Sequence, residues 1–240
     1  MMTTEELERA TAEDFLAGTL LLVDKPLTWS SFDVVKKIRY AVQHKFGLKK
    51  LKVGHAGTLD PLATGLLILC TGKFTKKITE LTLSGKSYTG TFMLGATTPS
   101  FDLETEPDLI RSTAEVTPER IAEAAEQLTG VQQQVPPQFS AKLVDGKRAY
   151  LSARKGETVE IKSREVNISK FEVDTDTFPE VHFEIDCTTG TYIRAVARDL
   201  GEALGCGAHL TSLRRTAVGE YSAANSLTVQ QVISALGARP

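Results

Sequence analysis

The stretch Gly54–Cys70, GHAGTLDPLATGLLILC, constrains this chain's fold more than any other. Gly54, Gly57 and Pro61 bend the backbone, and the continuous apolar run Leu66–Cys70 then fills a buried strand. One carboxylate, Asp60, stands where the turn gives way to the core. By residue type Asp60 fits two roles. It can cap the turn, the ordinary work of Asp beside Gly and Pro, or it can do chemistry at the edge of the core. A phosphate-cradling loop is excluded, since neither Gly54 nor Gly57 leads to a Lys-Ser or Lys-Thr pair. A two-carboxylate glycosidase needs a partner acid that the sequence does not nominate.

The rest of the pattern sets this turn in a mixed chain. Thr19–Asp24 reads as a buried strand ended by Lys25-Pro26. Ser31 is placed to cap the next helix, where Phe32, Val35, Ile38 and Val42 recur at helical spacing until Gly47 stops it. Lys73–Leu83 reads as a short helix, and Ser87–Gly95 alternates as a strand with one buried face. Thr117-Pro118 opens a helix that ends before Gly130, and Val131–Lys142 is extended around Pro136-Pro137. A helix over Arg148–Lys155, two strands across Thr158–Val173 and a strand over Val181–Cys187 come next. Last are a helix over Thr191–Leu204, a strand over Leu213–Tyr221 and a helix over Thr228–Leu236. Strands and helices mix without βαβ regularity. That predicts an α+β fold, a mainly antiparallel sheet flanked by helices.

Charge is segregated rather than large. The net charge is −2, yet Lys36–Lys52 holds seven basic residues and no acid. Lys142–Arg164 holds seven basics against Asp145, Glu157 and Glu160. Such stretches make either a cationic face suited to phosphates or a solvated helix face. No apolar run approaches the ~20 residues of a membrane helix. The acidic N-terminus is neither a signal nor a transit peptide. Cys70, Cys187 and Cys206 lack CxxC spacing and read as packed, reduced thiols of a cytoplasmic protein. His44, His55, His182 and His209 are scattered, so no metal site is expected.

Five motifs, which occur along the chain in the order of the family's own, resemble one family. GHAGTLDPLATGLL, LLVDKPLTWSSFDVV, KSYTGTFMLGATT, VPPQFSAKLVDGKRAYLSAR and CTTGTYIRAVARDLGEALGCGAHLTSLRRTAVG are similar to signatures of the TruB family, bacterial pseudouridine synthases of the transfer-RNA T loop. The resemblance implies a pseudouridine synthase fold with a central active-site cleft. It also implies conversion of a T-loop uridine to pseudouridine, with no cofactor. Asp60 falls on the nucleophile, which attacks either the base or ribose C1′ and must be ionised to do so. Arg194 would pair with it. Tyr88 falls on the tyrosine that packs against the target ring and assists proton removal, and Tyr192 lines the same pocket. Leu213 closes the uracil site. A stacked uridine must be flipped out, and His55 matches the histidine that takes its vacated place. Lys25 supports motif packing or a phosphate contact.

The chain also departs from the family. Thr28 stands where a glycine is usual, which argues against a positive φ there. Pro99 replaces a frequent aspartate, although Asp102 matches a later acid. The expected organisation is a polar extension over residues 1–18, a catalytic domain over 19–222 and a short helical tail over 223–240. With no separate RNA-binding module expected, the two basic stretches become the candidates for gripping the T arm. A monomer with no obligate protein partner and no membrane contact is expected. The competing reading is a transfer-RNA-binding folding chaperone on the same scaffold.

Overall fold

The computed structural model describes residues 2–140, 142–144 and 146–237. Asp145 and positions 238–240 of the expected tail lie outside the described residues. The fold is α+β, and the chain forms two compact units, Met1–Ser87 with Arg214–Pro240, and Tyr88–Leu213.

The first unit explains why its strands are continuously apolar. Leu20–Lys25 pairs antiparallel with Ala63–Thr71, which also pairs antiparallel with Val53–Ala56. Leu227–Thr228 adds to Leu20–Lys25 in parallel. Leu21, Val23, Leu67 and Leu69 face one cluster, with Val34, Val35, Ile38, Ala41 and Val42 of the helix Ser31–Phe46. Leu20, Leu22, Leu66, Ile68 and Cys70 face another, with Val218, Phe74 and Ile78 packed on it. Both sheet faces are covered, so alternation disappears from the sequence.

Phe32 is not in that core: it is 59% exposed, and Val34 and Ala41 take the buried positions instead. The cap also differs from the expectation. Ser30, not Ser31, accepts from the Asp33 N–H in a capping box, and this frees the Ser31 hydroxyl for another partner.

The segment expected as a polar extension is built into the core. Thr4–Arg9 and Ala12–Ala17 are helices whose acids Glu6 and Asp14 close capping boxes with Thr3 and Thr11. Leu7 and Phe15 are fully buried in the same cluster as the Ser31–Phe46 helix. Each such side chain contributes about 1.5–3 kcal/mol. The tail does likewise, through Val232, Ile233 and Leu236.

In the second unit Arg164–Asp174 pairs antiparallel with Gly130–Gln134 on one side and Glu180–Cys187 on the other. It is one strand with a register shift between Ile168 and Lys170, not the two expected. Phe92 stacks on Phe183 at 4.1 Å between ring centroids and meets Phe171 edge-on at 6.3 Å. Pro118–Gln127 and Ile193–Leu204 are the helices of this unit that pack together. The last long strand is Ala208–Val218, five residues earlier than expected, and Tyr221–Ser222 folds back on its end. Gly205 and Gly207, both at positive φ, end the helix and launch the strand.

Candidate active site

Asp60 lies in the loop between Val53–Ala56 and Ala63–Thr71, half-buried. Side chains from three other segments fix the residues beside it. On its N-terminal side, the Ser31 hydroxyl accepts from the Leu59 N–H at 2.8 Å and donates to the Leu59 carbonyl at 3.1 Å. Arg215, fully buried, donates to the carbonyls of Leu66 at 2.8 Å, Gly57 at 3.1 Å and Thr58 at 3.4 Å. On the C-terminal side, the Pro61 carbonyl accepts from the Thr28 N–H at 2.9 Å and from the Lys25 ammonium at 3.3 Å. Lys25 also donates to the carbonyls of Pro26 and Trp29. The Asp60 carbonyl itself accepts from the Ala63 N–H. Fixing the neighbours on both sides fixes where the carboxylate stands.

Two backbone features make this loop possible. Gly65, at φ +100°, runs against the Arg215 backbone, where a Cβ would lie 2.3 Å from the carbonyl oxygen. Thr28 adopts φ 69°. This overturns the expectation that a non-glycine there avoids positive φ. The strain of order 1–3 kcal/mol is held because the Thr28 N–H and the Lys25 ammonium both tie this turn to Pro61.

Electrostatics follow from the same packing. Burial pushes the Lys25 ammonium down to about 8, against the opposing pull of the Asp60 and Asp33 carboxylates. Burial lowers the His55 pKa, the Gly57 backbone opposes that, and Arg215 adds to it. His55 is therefore a neutral imidazole at neutral pH, and its Nδ1 is buried without a hydrogen-bond partner.

The remaining predicted residues belong to the second unit. Tyr88 is buried in the strand Lys86–Leu94. Tyr192 precedes the helix Ile193–Leu204, half-buried, and Gln134 grips its backbone twice: the Gln134 amide oxygen accepts from the Tyr192 N–H at 2.8 Å and its nitrogen donates to the Tyr192 carbonyl. Arg194 is buried on that helix. It lies 3.5 Å from Asp102 and donates to the Ser100 carbonyl at 3.2 Å. Asp102 in turn accepts from the Glu104 N–H at 2.9 Å. Leu213 is half-buried in Ala208–Val218.

Thus the structure brings Lys25 against the Asp60 loop, and Arg194 against Asp102. Residue reading missed Ser31, Arg215 and Gln134 as positioning groups. Only Arg215 left a signal: strand alternation makes one member of the Arg214-Arg215 pair face inward, while Arg214 makes a two-point ion pair with Asp24 at 2.7 and 3.0 Å. Among the described residues no group of His, Cys, Asp or Glu is arranged to hold a metal ion. No described helix is long and apolar enough to cross a membrane.

The TruB family pseudouridylate synthase (N terminal domain) model matches residues 43–193, and the tRNA pseudouridylate synthase B C-terminal domain model matches residues 194–238. A tRNA pseudouridine synthase B of Flavobacterium johnsoniae is 53% identical over 220 residues, covering 91% of this chain and 96% of that protein. One from Phocaeicola vulgatus is 54% identical over 217 residues, 90% of this chain and 92% of that protein. Among solved structures, a chain of a Cbf5-Nop10-Gar1 complex superposes with a TM-score of 0.68 at 25% identity, over 95% of this chain and 57% of that one. The present chain thus spans less than two thirds of that solved chain. Matches on this scale assign the chain to a family: it belongs to the TruB family of pseudouridylate synthases.

Proposed function

We propose that this chain isomerises a T-loop uridine of transfer RNA to pseudouridine, with Asp60 as the nucleophile. The observation that carries the reading is the clamp on Asp60. Leu59 and Pro61, its two neighbours, are each held by hydrogen bonds from distant segments, as preorganised nucleophiles require. Support also comes from relatives more than half identical that are named tRNA pseudouridine synthase B.

The reaction balances without any added group. The bond from N1 to C1′ breaks, a bond from C5 to C1′ forms, the C5 proton leaves and N1 gains one. No electron is exchanged, so an ionised carboxylate and a proton acceptor suffice. Arg194 is the counter-ion that steadies the Asp60 carboxylate, and Asp102 orients Arg194. Tyr88 packs on the uracil ring and assists loss of the C5 proton, Tyr192 lines the pocket and Leu213 closes it. His55, uncharged, fills the gap left in the base stack. Lys25 holds the loop rather than touching substrate. We read the enzyme as a cytoplasmic monomer that needs no protein partner.

Asp60→Asn keeps shape and polarity while removing the nucleophile. A T-arm stem-loop should still bind the variant, with pseudouridine formation, read by mass-labelled base mapping, falling below detection. Turnover by the variant would reject Asp60. Wild-type binding without turnover would instead favour the chaperone.

A further inference from the structure

The helix Ser31–Phe46 has two unlike faces. Its inner face fills the core. Its outer face, with Lys36, Arg39 and Tyr40 at the centre, lines a groove of about 670 Å³ that starts at Thr28 and Trp29. Thr28 is the residue whose N–H is bonded to the Pro61 carbonyl, so one end of the groove lies a hydrogen bond away from the loop that carries Asp60. Tyr40 is 65% exposed. Its ring stacks on His44 with 5.9 Å between centroids and 27° between planes.

Asp33 is the one acid among the described residues lining the groove. Its carboxylate is turned back into the helix cap, accepting from the Ser30 N–H at 2.9 Å and the Ser30 hydroxyl at 2.6 Å. Along the groove Lys36 is exposed, and Lys37 and Arg39 are half-buried. Beyond Tyr40 and Gln43 a second, shallower groove continues to Lys49. From Ser31 to Gln43 the helix offers about 18 Å, enough to follow one strand over a few phosphates.

The core of a protein-docking patch is depleted of charge. Here exposed rings alternate with Lys and Arg, the chemistry that grips a nucleic-acid backbone and stacks a base. We propose that this groove is the track for the RNA strand leading to Asp60, with Lys36 and Arg39 on its phosphates and Tyr40 stacked on one of its bases. The proposal rests on the reading of RNA as substrate and adds where the strand runs.

The test measures binding of a T-arm stem-loop across ionic strength, together with steady-state kinetics, on the full chain. Lys36→Ala combined with Arg39→Ala should raise Kd and flatten the slope of log Kd against log salt by about 1.5–2. Tyr40→Ala should raise Kd at least about fivefold, and Tyr40→Phe, which keeps the ring, should restore most of it. The losses should fall on KM rather than kcat. A merely structural role would lower thermal stability and kcat and leave the salt slope alone, and that pattern overturns the proposal. An unchanged Kd and slope in the double variant overturn it as well, even with wild-type turnover intact. Wild-type RNA binding without pseudouridine formation would instead defeat the enzyme assignment, and the binding data alone would still decide the groove.

Discussion

Lys25 shows how much physics a single residue can carry. An ammonium fully out of solvent is expensive unless its protons are used, and here three backbone carbonyls, of Pro26, Trp29 and Pro61, use them. Its folded pKa of about 8 lies below the ordinary 10.5. Between those two values the unfolded chain binds more protons than the folded one, so stability rises with pH across that window. Lys25→Met removes both the penalty and the three hydrogen bonds, costing about 1–3 kcal/mol at pH 7. The stability difference between wild type and Lys25→Met should then move in favour of wild type by about 1.5 kcal/mol between pH 8 and 9.5. Urea unfolding at several pH values measures this; a pH-independent difference would mean that Lys25 does not titrate there. The residue type was legible at the Lys-Pro end of a strand, but its three acceptors were not, because they come from backbone folded onto it.

The Ser30-Ser31 pair shows the same limit one level up. Either hydroxyl suits a helix cap, and residue type does not choose between them. The fold assigns the cap to Ser30 and gives Ser31 to Leu59, 28 residues away. The two substitutions should therefore separate. Ser30→Ala loses about 1 kcal/mol of stability with turnover near wild type. Ser31→Ala leaves the buried Leu59 N–H unpaired, costs about 1–3 kcal/mol, and lowers kcat because the Asp60 loop loosens. Urea unfolding and single-turnover kinetics on both proteins make the comparison; equal kcat in the two would remove Ser31 from the positioning of Asp60. Helices and strands were otherwise read within a few residues where the period was clean. The reading failed over residues 1–18, where two helices form, and at Val53–Ala56, which is a strand rather than loop. It failed too at Thr158–Val173 and before Leu213, where a register shift and a glycine-led start to the strand leave no mark in hydrophobic spacing.

At the scale of the whole molecule, the odd count of three cysteines pointed to packed thiols, and Cys70, Cys187 and Cys206 are all buried outside any disulfide. Burial pushes the Cys70 thiol up to about 11. A thiol reagent at pH 8 should find almost no reactive group in the native protein and three after denaturation. Rapid native labelling would mean that one of them opens to solvent. By itself, the sequence determined what is local: the helical and strand periods, the α+β class, and Asp60 as the lone carboxylate between a glycine turn and a buried run. Tertiary structure alone decided what is held by contact across the chain. Leu7 and Phe15 of the N-terminal helices entered the core, Phe32 turned outward, and Thr28 took a positive φ. Arg215 reached the Leu66 carbonyl across 149 residues of sequence. Periodicity records which side of an element is apolar, but not which distant backbone will lie against it. Buried hydrogen bonds depend on that second fact, and they are what hold Asp60 in place.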